Sequence, residues 1–388
     1  MHDNMERENE MKSKNNKQFM VFSALNMMLV VDAHAWTSLN IMTRYLTYNM
    51  FIMPAFTFVS GYFFRIDNKN YLRNKIKNLI LPYYVWWVIY ALLLILLNKI
   101  FSIKIALDVT LDTLILGPWK GGECWSFNNP SWFVCFLFLV QILYYGLHKL
   151  FYKCWNDWVV FIVWTLVAIL TTHYVTTNLI NLVYCNVYRV FILGWFYHFG
   201  VIYKKYVEKW FNKETGLITC VCCIIAMAFL NQIFGVQHFL FNSLSWKVEG
   251  MENFGILSGI YLLIVGVIGI IFWLKISQVL VPALGRSRFF NFVSNHTFEI
   301  MMNHIFFMWL FNLILVKVNN IWPLTNFDVN SAIIEPWYRW VDSKWSNLMY
   351  FICGLAGAMA VAWLTDKFKE YRNVLWQKIV KKVWLKSI

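Results

Sequence analysis

Few ionisable residues interrupt the apolar stretches of this chain, and they are where chemistry is to be sought. Asp32 and His34 fall in the first apolar stretch, Arg189 in the sixth, and Glu299 and His304 in the ninth. Such side chains are costly inside a bilayer, so each marks a candidate site. His34 is the sharpest of them. A neutral imidazole takes a proton from a hydroxyl near neutral pH, which is the work of a general base. At about 100° of helix per residue, Ser23 lies on almost the same face as His34 and Asn26 about 80° round from it. Asp32 is about 200° away and cannot orient His34 within one helix. The plainer alternatives are a packing histidine at a helix mouth for His34 and a satisfied structural histidine for His304. Arg189 either pairs with Asp32 or Glu299 or holds an anionic ligand. His173 and His198 lie near span ends, where an interfacial position explains them.

The elements that must position these residues are membrane helices. The 388 residues are 60% hydrophobic, 19% aromatic and only 14% charged, with a mean hydropathy of +0.52. Soluble proteins carry about 25% charged residues. That balance excludes a soluble enzyme, a disordered scaffold and a secreted disulfide module. The sequence reads as an all-α integral membrane bundle of ten helices over roughly 19–36, 44–64, 79–98, 131–150, 158–176, 182–203, 215–235, 254–275, 289–316 and 347–366. Each is near the ~20 residues needed to cross a bilayer. The net charge of +14 does not mark a nucleic-acid binder, because the basic residues punctuate the apolar runs. Of the eight cysteines, Cys220, Cys222 and Cys223 cluster without nearby His or carboxylate, so neither a metal site nor a disulfide framework is expected.

Lys and Arg set the orientation. With the N-terminus inside, 25 of the 34 basic residues fall in cytoplasmic segments and eight outside, leaving Arg189 within a span. Both termini are therefore expected in the cytoplasm. The chain divides into an N-terminal tail 1–18, a membrane domain 19–366 and a basic C-terminal tail 367–388. Ala33-His34-Ala35 resembles a signal-peptidase site, but an acidic N-terminal region and the polar Asn26 and Asp32 argue against cleavage. Gly117-Pro118-Trp119-Lys120-Gly121-Gly122 is not a phosphate loop, since no Gly-Lys-Ser/Thr follows. The basic run with Arg65, Lys69, Arg73, Lys75 and Lys77 reads first as a topology signal and lipid-phosphate contact. Its secondary reading gives Arg73, Lys75 and Lys77 the phosphates of a cytoplasmic nucleotide.

Four motifs then occur in order: Leu29-Val30-Val31-Asp32-Ala33-His34; Met53-Pro54-Ala55-Phe56-Thr57-Phe58-Val59-Ser60-Gly61-Tyr62-Phe63; Lys75-Ile76-Lys77-Asn78-Leu79-Ile80-Leu81-Pro82-Tyr83; and Pro130-Ser131-Trp132-Phe133. With Ser294 to His304, this set resembles the acyltransferase 3 family of bacterial membrane O-acyltransferases. The resemblance implies about ten helices with both ends cytoplasmic. It further implies transfer of an acyl group, usually acetyl, from cytoplasmic acyl-CoA to a hydroxyl of an extracytoplasmic glycan at the cell (plasma or inner) membrane. Acyl-CoA is then a donor substrate, and no permanently bound cofactor or metal is implied. The family's histidine falls on His34. Its usual first-helix Arg or Lys falls on Ser23, its Gly on Ala33, and its ninth-helix Tyr on Phe298 or Glu299. Arg189 or Lys17 are left to stand in for the missing cation.

In this scheme His34 deprotonates the sugar hydroxyl, Asn26, Ser60 or Arg189 steadies the oxyanion, and Glu299, His304 and Trp132 support the site. The outer tryptophans, among them Trp119, Trp125, Trp322, Trp337, Trp340 and Trp345, suit either sugar stacking or the ordinary interfacial belt. The competing reading is an exporter of polysaccharide or lipid-linked sugar, although no matched pair of Gly- or Pro-broken helices marks an internal repeat. A purely structural subunit leaves the intramembrane charges unexplained.

Overall fold

The computed structural model describes all residues except 1, 38–49, 68, 102–104, 106–108, 121–124, 178–181, 213–215, 236–237, 242–245, 250, 343 and 385–388. The described chain is helical apart from one antiparallel hairpin, β1 (His238–Phe241) with β2 (Trp246–Glu249), in which Phe239 faces Val248. The principal helices are α1 (His2–Ala35), α2 (Ile52–Tyr62), α3 (Leu81–Phe101), α4 (Trp132–Leu150), α5 (Asp157–Thr177), α6 (Leu182–Ile202), α7 (Gly216–Phe234), α8 (Leu257–Leu284), α9 (Arg288–Asn295), α10 (Thr297–Ile321) and α11 (Lys344–Trp384). Among the described residues, eight helices are long and apolar enough to cross a membrane. Only helices and closed barrels satisfy their backbone polar groups in lipid, so the chain is a multi-pass membrane protein.

Several expected spans have different bounds. The expected second span, 44–64, is helical only over Ile52–Tyr62, while its first residues, 44–49, lie outside the described part. This short helix is held by very close packing. A Cβ on Gly61 would sit 1.8 Å from the Tyr197 carbonyl oxygen, and one on Gly200 would sit 2.1 Å from that of Phe58. Bare backbones thus lie against each other where α2 meets α6, as small residues allow in membrane bundles. The third span begins earlier: Tyr71–Lys75 passes through a π turn at Ile76–Ile80 into α3. The eighth runs on to Leu284, which takes Lys275 out of the expected loop and buries it, with its ammonium donating to the Phe211 carbonyl.

The expected ninth span, 289–316, is two helices. His296 (φ −119°, ψ 26°) breaks the run, leaving α9 as an eight-residue entry helix and α10 as the span. α1 begins at His2 and α11 continues to Trp384 without a break.

Side-chain contacts define two ends of the bundle. At one end Gln18 donates to the Leu274 carbonyl, Tyr62 to Glu208, Lys205 to Asp157, and His296 to Asp366. This end gathers the basic segments. Burial draws the Lys204 ammonium below its ordinary value there, with neighbouring Arg65 adding to the effect. At the opposite end, Asn347 donates to the Trp36 carbonyl, Trp309 to that of Ile333 and Tyr84 to that of Ile115. The candidate residues lie between these ends.

Candidate active site

His34, in the last turn of α1, meets His304, in the second turn of α10. Their rings stack at a centroid distance of 5.0 Å and 19°, with His34 Nδ1 2.8 Å from His304 Nε2. The tautomers follow from the remaining contact. His304 Nδ1 lies 2.9 Å from the Ile300 carbonyl oxygen. A carbonyl only accepts, so His304 carries its proton on Nδ1 and presents a lone pair at Nε2. His34 Nδ1–H must then donate to it, which leaves the His34 Nε2 lone pair without a hydrogen-bond partner among the described residues. An i−4 backbone carbonyl thus orients His304, and His304 orients His34. His304 is fully buried, whereas His34 is only partly so. The pair is an oriented base with its basic nitrogen open, and it stabilises an imidazolium through a neutral acceptor.

The opposite end of the bundle closes over this pair. Trp337 stands edge-on to the His34 ring at 5.2 Å. Arg339 reaches in from the segment before α11 and is 4% exposed. Its Nε donates to the His34 carbonyl at 3.0 Å, and its Nη1 to the carbonyls of Pro336 and Tyr338 at 2.8 and 2.7 Å. The guanidinium also lies 5.2 Å over the Tyr350 ring, and Tyr350 in turn donates to Asn312. Burial draws Arg339 down to about 10, so it remains a cation at neutral pH. Arg339, from a segment the charge pattern assigns to the outside, thus holds the His34 backbone. The sole signal in the sequence was an arginine set in the aromatic run Trp337-Tyr338-Arg339-Trp340.

Below the pair is a cavity of about 210 Å³. Its walls include Ser23 and Met27 from α1, Ser60 from α2, Leu79 before α3, and Ser294, Thr297 and Met301 around α9 and α10. Met301 precedes His304 by three residues, and Met27 precedes His34 by seven, which is roughly 10 Å along a helix. Ser60 and Ser23, both singled out by sequence, line the same cavity.

The other sequence candidates are distributed around this centre. Asn26 is 1% exposed, and neither polar atom of its amide has a hydrogen-bond partner among the described residues. Asp32 accepts from Thr37. Arg189 is buried elsewhere in the bundle: its guanidinium donates to Asn186 at 2.8 Å and lies 5.0 Å over Trp132, which is itself buried. Glu299 lies in the first turn of α10, 3.8 Å from the Lys369 ammonium. Asn303 accepts from Tyr90 and donates to the Glu299 carbonyl, tying α10 to α3. Arg73 and Lys77 are exposed, and the Lys75 ammonium lies 5.2 Å over the Tyr71 ring. Among the described residues no cluster of three or more His, Cys, Asp or Glu is arranged to hold a metal ion.

Searches of curated proteins and of solved structures return no match. Residues 22–367 match the model of the family Acyl_transf_3, an acyltransferase domain. The matched stretch contains both histidines, the cavity and Arg339, and on that evidence the chain belongs to the acyltransferase 3 family.

Proposed function

We propose that this protein moves an acyl group, acetyl in the first instance, from cytoplasmic acyl-CoA to a hydroxyl of an extracytoplasmic glycan, without a resident cofactor. The proposal includes ten membrane crossings with both termini cytoplasmic in the cell (plasma or inner) membrane. One observation supports it: the His34–His304 pair with an open Nε2 among the described residues, on the same two helices, α1 and α10, that contribute Met27 and Met301 to the cavity.

In the proposed reaction His34 Nε2 removes the proton of the acceptor hydroxyl while that oxygen bonds to the thioester carbonyl carbon. The carbonyl becomes a tetrahedral oxyanion. Collapse breaks the carbon–sulfur bond, and the thiolate takes the proton held on His34, so the base is regenerated. Arg339 acts through the backbone of His34 and is a positioning residue. Coenzyme A is a polyanion and cannot cross the bilayer. A cavity of about 210 Å³ is smaller than the ~300 Å³ lower bound typical of small-molecule sites. It therefore suits the thioester arm of the donor while the nucleotide stays at the basic end. The exposed aromatic residues at the other end, Trp337 and Trp36 among them, offer faces to a sugar ring.

The test is purified protein in detergent with acetyl-CoA and a glycan acceptor, with release of free CoA followed by a thiol reagent. CoA release that needs the acceptor and disappears in His34→Ala supports the proposal. Sugar translocation without CoA release, in a folded protein, would overturn it in favour of export.

A further inference from the structure

The break at His296 creates a second feature, which the reading above does not use. On one side of α9, Ser294 and Thr297 face the cavity beneath the histidine pair. On the other side Arg286, Ser287, Arg288, Asn291, Asn295 and His296 line a separate cleft of about 330 Å³ at the basic end. Its rim carries two guanidinium groups, and His296 is fixed within it. His296 Nδ1 lies 2.8 Å from the Phe292 carbonyl oxygen, and its Nε2 lies 2.8 Å from Asp366 Oδ2. The ring is thereby held between the α9 backbone and the Asp366 carboxylate. Asp366 is shared with Lys369 at 3.5 Å. The Arg286 and Arg288 side chains are exposed beside it. The Ser287 hydroxyl caps α9 by accepting from the Phe290 amide at 3.4 Å. The first turn of α9 thus adds its remaining amides to the same rim.

We infer that this cleft is a seat for phosphate esters, held by Arg286 and Arg288 with His296 at its floor. Guanidinium groups grip phosphate oxygens in bidentate fashion, and two guanidiniums on one cleft rim match a ligand bearing several phosphate charges. The nucleotide of the acyl donor is one source of that chemistry, and in that form the inference rests on the acyl-CoA reading above. The headgroup of an anionic phospholipid is the other source. With the nucleotide here, the thioester arm has only to pass α9 to enter the cavity wall at Ser294 and Thr297. This assigns the donor phosphates to Arg286, between α8 and α9, and Arg288, at the start of α9, in place of Arg73, Lys75 and Lys77.

The experiment uses the full chain in nanodiscs of phosphatidylcholine, titrated calorimetrically with CoA and with adenosine 3′,5′-bisphosphate. It compares wild type, R286A/R288A and R73A/K77A, and also measures co-purifying phosphatidylglycerol by mass spectrometry. The expected result is CoA and bisphosphate binding weakened at least about tenfold in R286A/R288A, at unchanged melting temperature, and by less than about threefold in R73A/K77A. If wild type binds no CoA but retains phosphatidylglycerol through Arg286 and Arg288, the acyl-donor reading fails while the phosphate-ester site stands with lipid as its ligand. CoA binding and lipid retention both unchanged in R286A/R288A would overturn the site itself.

Discussion

Removing the His304 ring tests how His34 is oriented. In His304→Ala the His34 Nδ1–H, now 2.8 Å from its acceptor, has nothing to donate to. During transfer that N–H belongs to a charged imidazolium, and a hydrogen bond involving a charged group contributes about 1.5–3 kcal/mol. At about 1.4 kcal/mol per decade of rate, the turnover number should fall by roughly 10-fold to 150-fold. The KM for acyl-CoA should change little, since His304 does not line the cavity proposed for the donor. His304→Gln separates orientation from packing, because its amide oxygen can accept from Nδ1–H; it should recover most of the rate. The assay is acceptor-dependent CoA release at saturating donor, with melting temperature in detergent measured alongside. A folded His304→Ala enzyme at wild-type rate, or a folded His304→Gln enzyme no better than the alanine variant, would refute the reasoning.

Other perturbations have equally definite outcomes. Arg339→Met leaves the carbonyls of His34, Pro336 and Tyr338 without their donor; at about 1–3 kcal/mol for an unsatisfied buried group, it should lower the melting temperature and the transfer rate together, and a rate loss without destabilisation would mean direct contact with substrate. Gly61→Ala places a Cβ 1.8 Å from the Tyr197 carbonyl oxygen, so α2 and α6 must part and folded yield should collapse, whereas Gly146→Ala, with nothing near its Cβ, should be neutral in the same expression assay. Ser60→Leu fills part of the cavity and should raise the KM for acetyl-CoA at normal folded yield; an unchanged KM would exclude this cavity as the donor's route.

His34 was legible because it stands almost alone. In an apolar helix a titratable ring has no solvent to justify it, and the single sequence exposes it without any partner. The neighbours of His34 were harder to read. His304 lies 270 residues away, and helical periodicity relates only residues on the same helix. Arg339 was counted with the outer basic residues because its local surroundings, aromatic and between spans, match an interfacial loop. Its burial arises because that segment folds back onto the end of α1. Arg189 drew attention as an intramembrane charge, yet its guanidinium lies against Trp132 and Phe136 and donates to Asn186. Spans were read well where hydropathy is continuous and poorly where geometry interrupts it, as at His296 and in the short α2.

The sequence by itself determined a multi-pass helical membrane protein, because apolar length and a lack of charge leave a chain no other way to satisfy its backbone in lipid. It also determined the family, through motifs whose order survives substitution at Ser23. The tertiary structure decided which groups come together: His304 against His34, Arg339 on the His34 backbone, and Ser23 with Ser60 around one cavity. Hydrogen bonds reach about 3 Å and take no account of separation along the chain, so only the packed bundle selects which polar groups come within that distance.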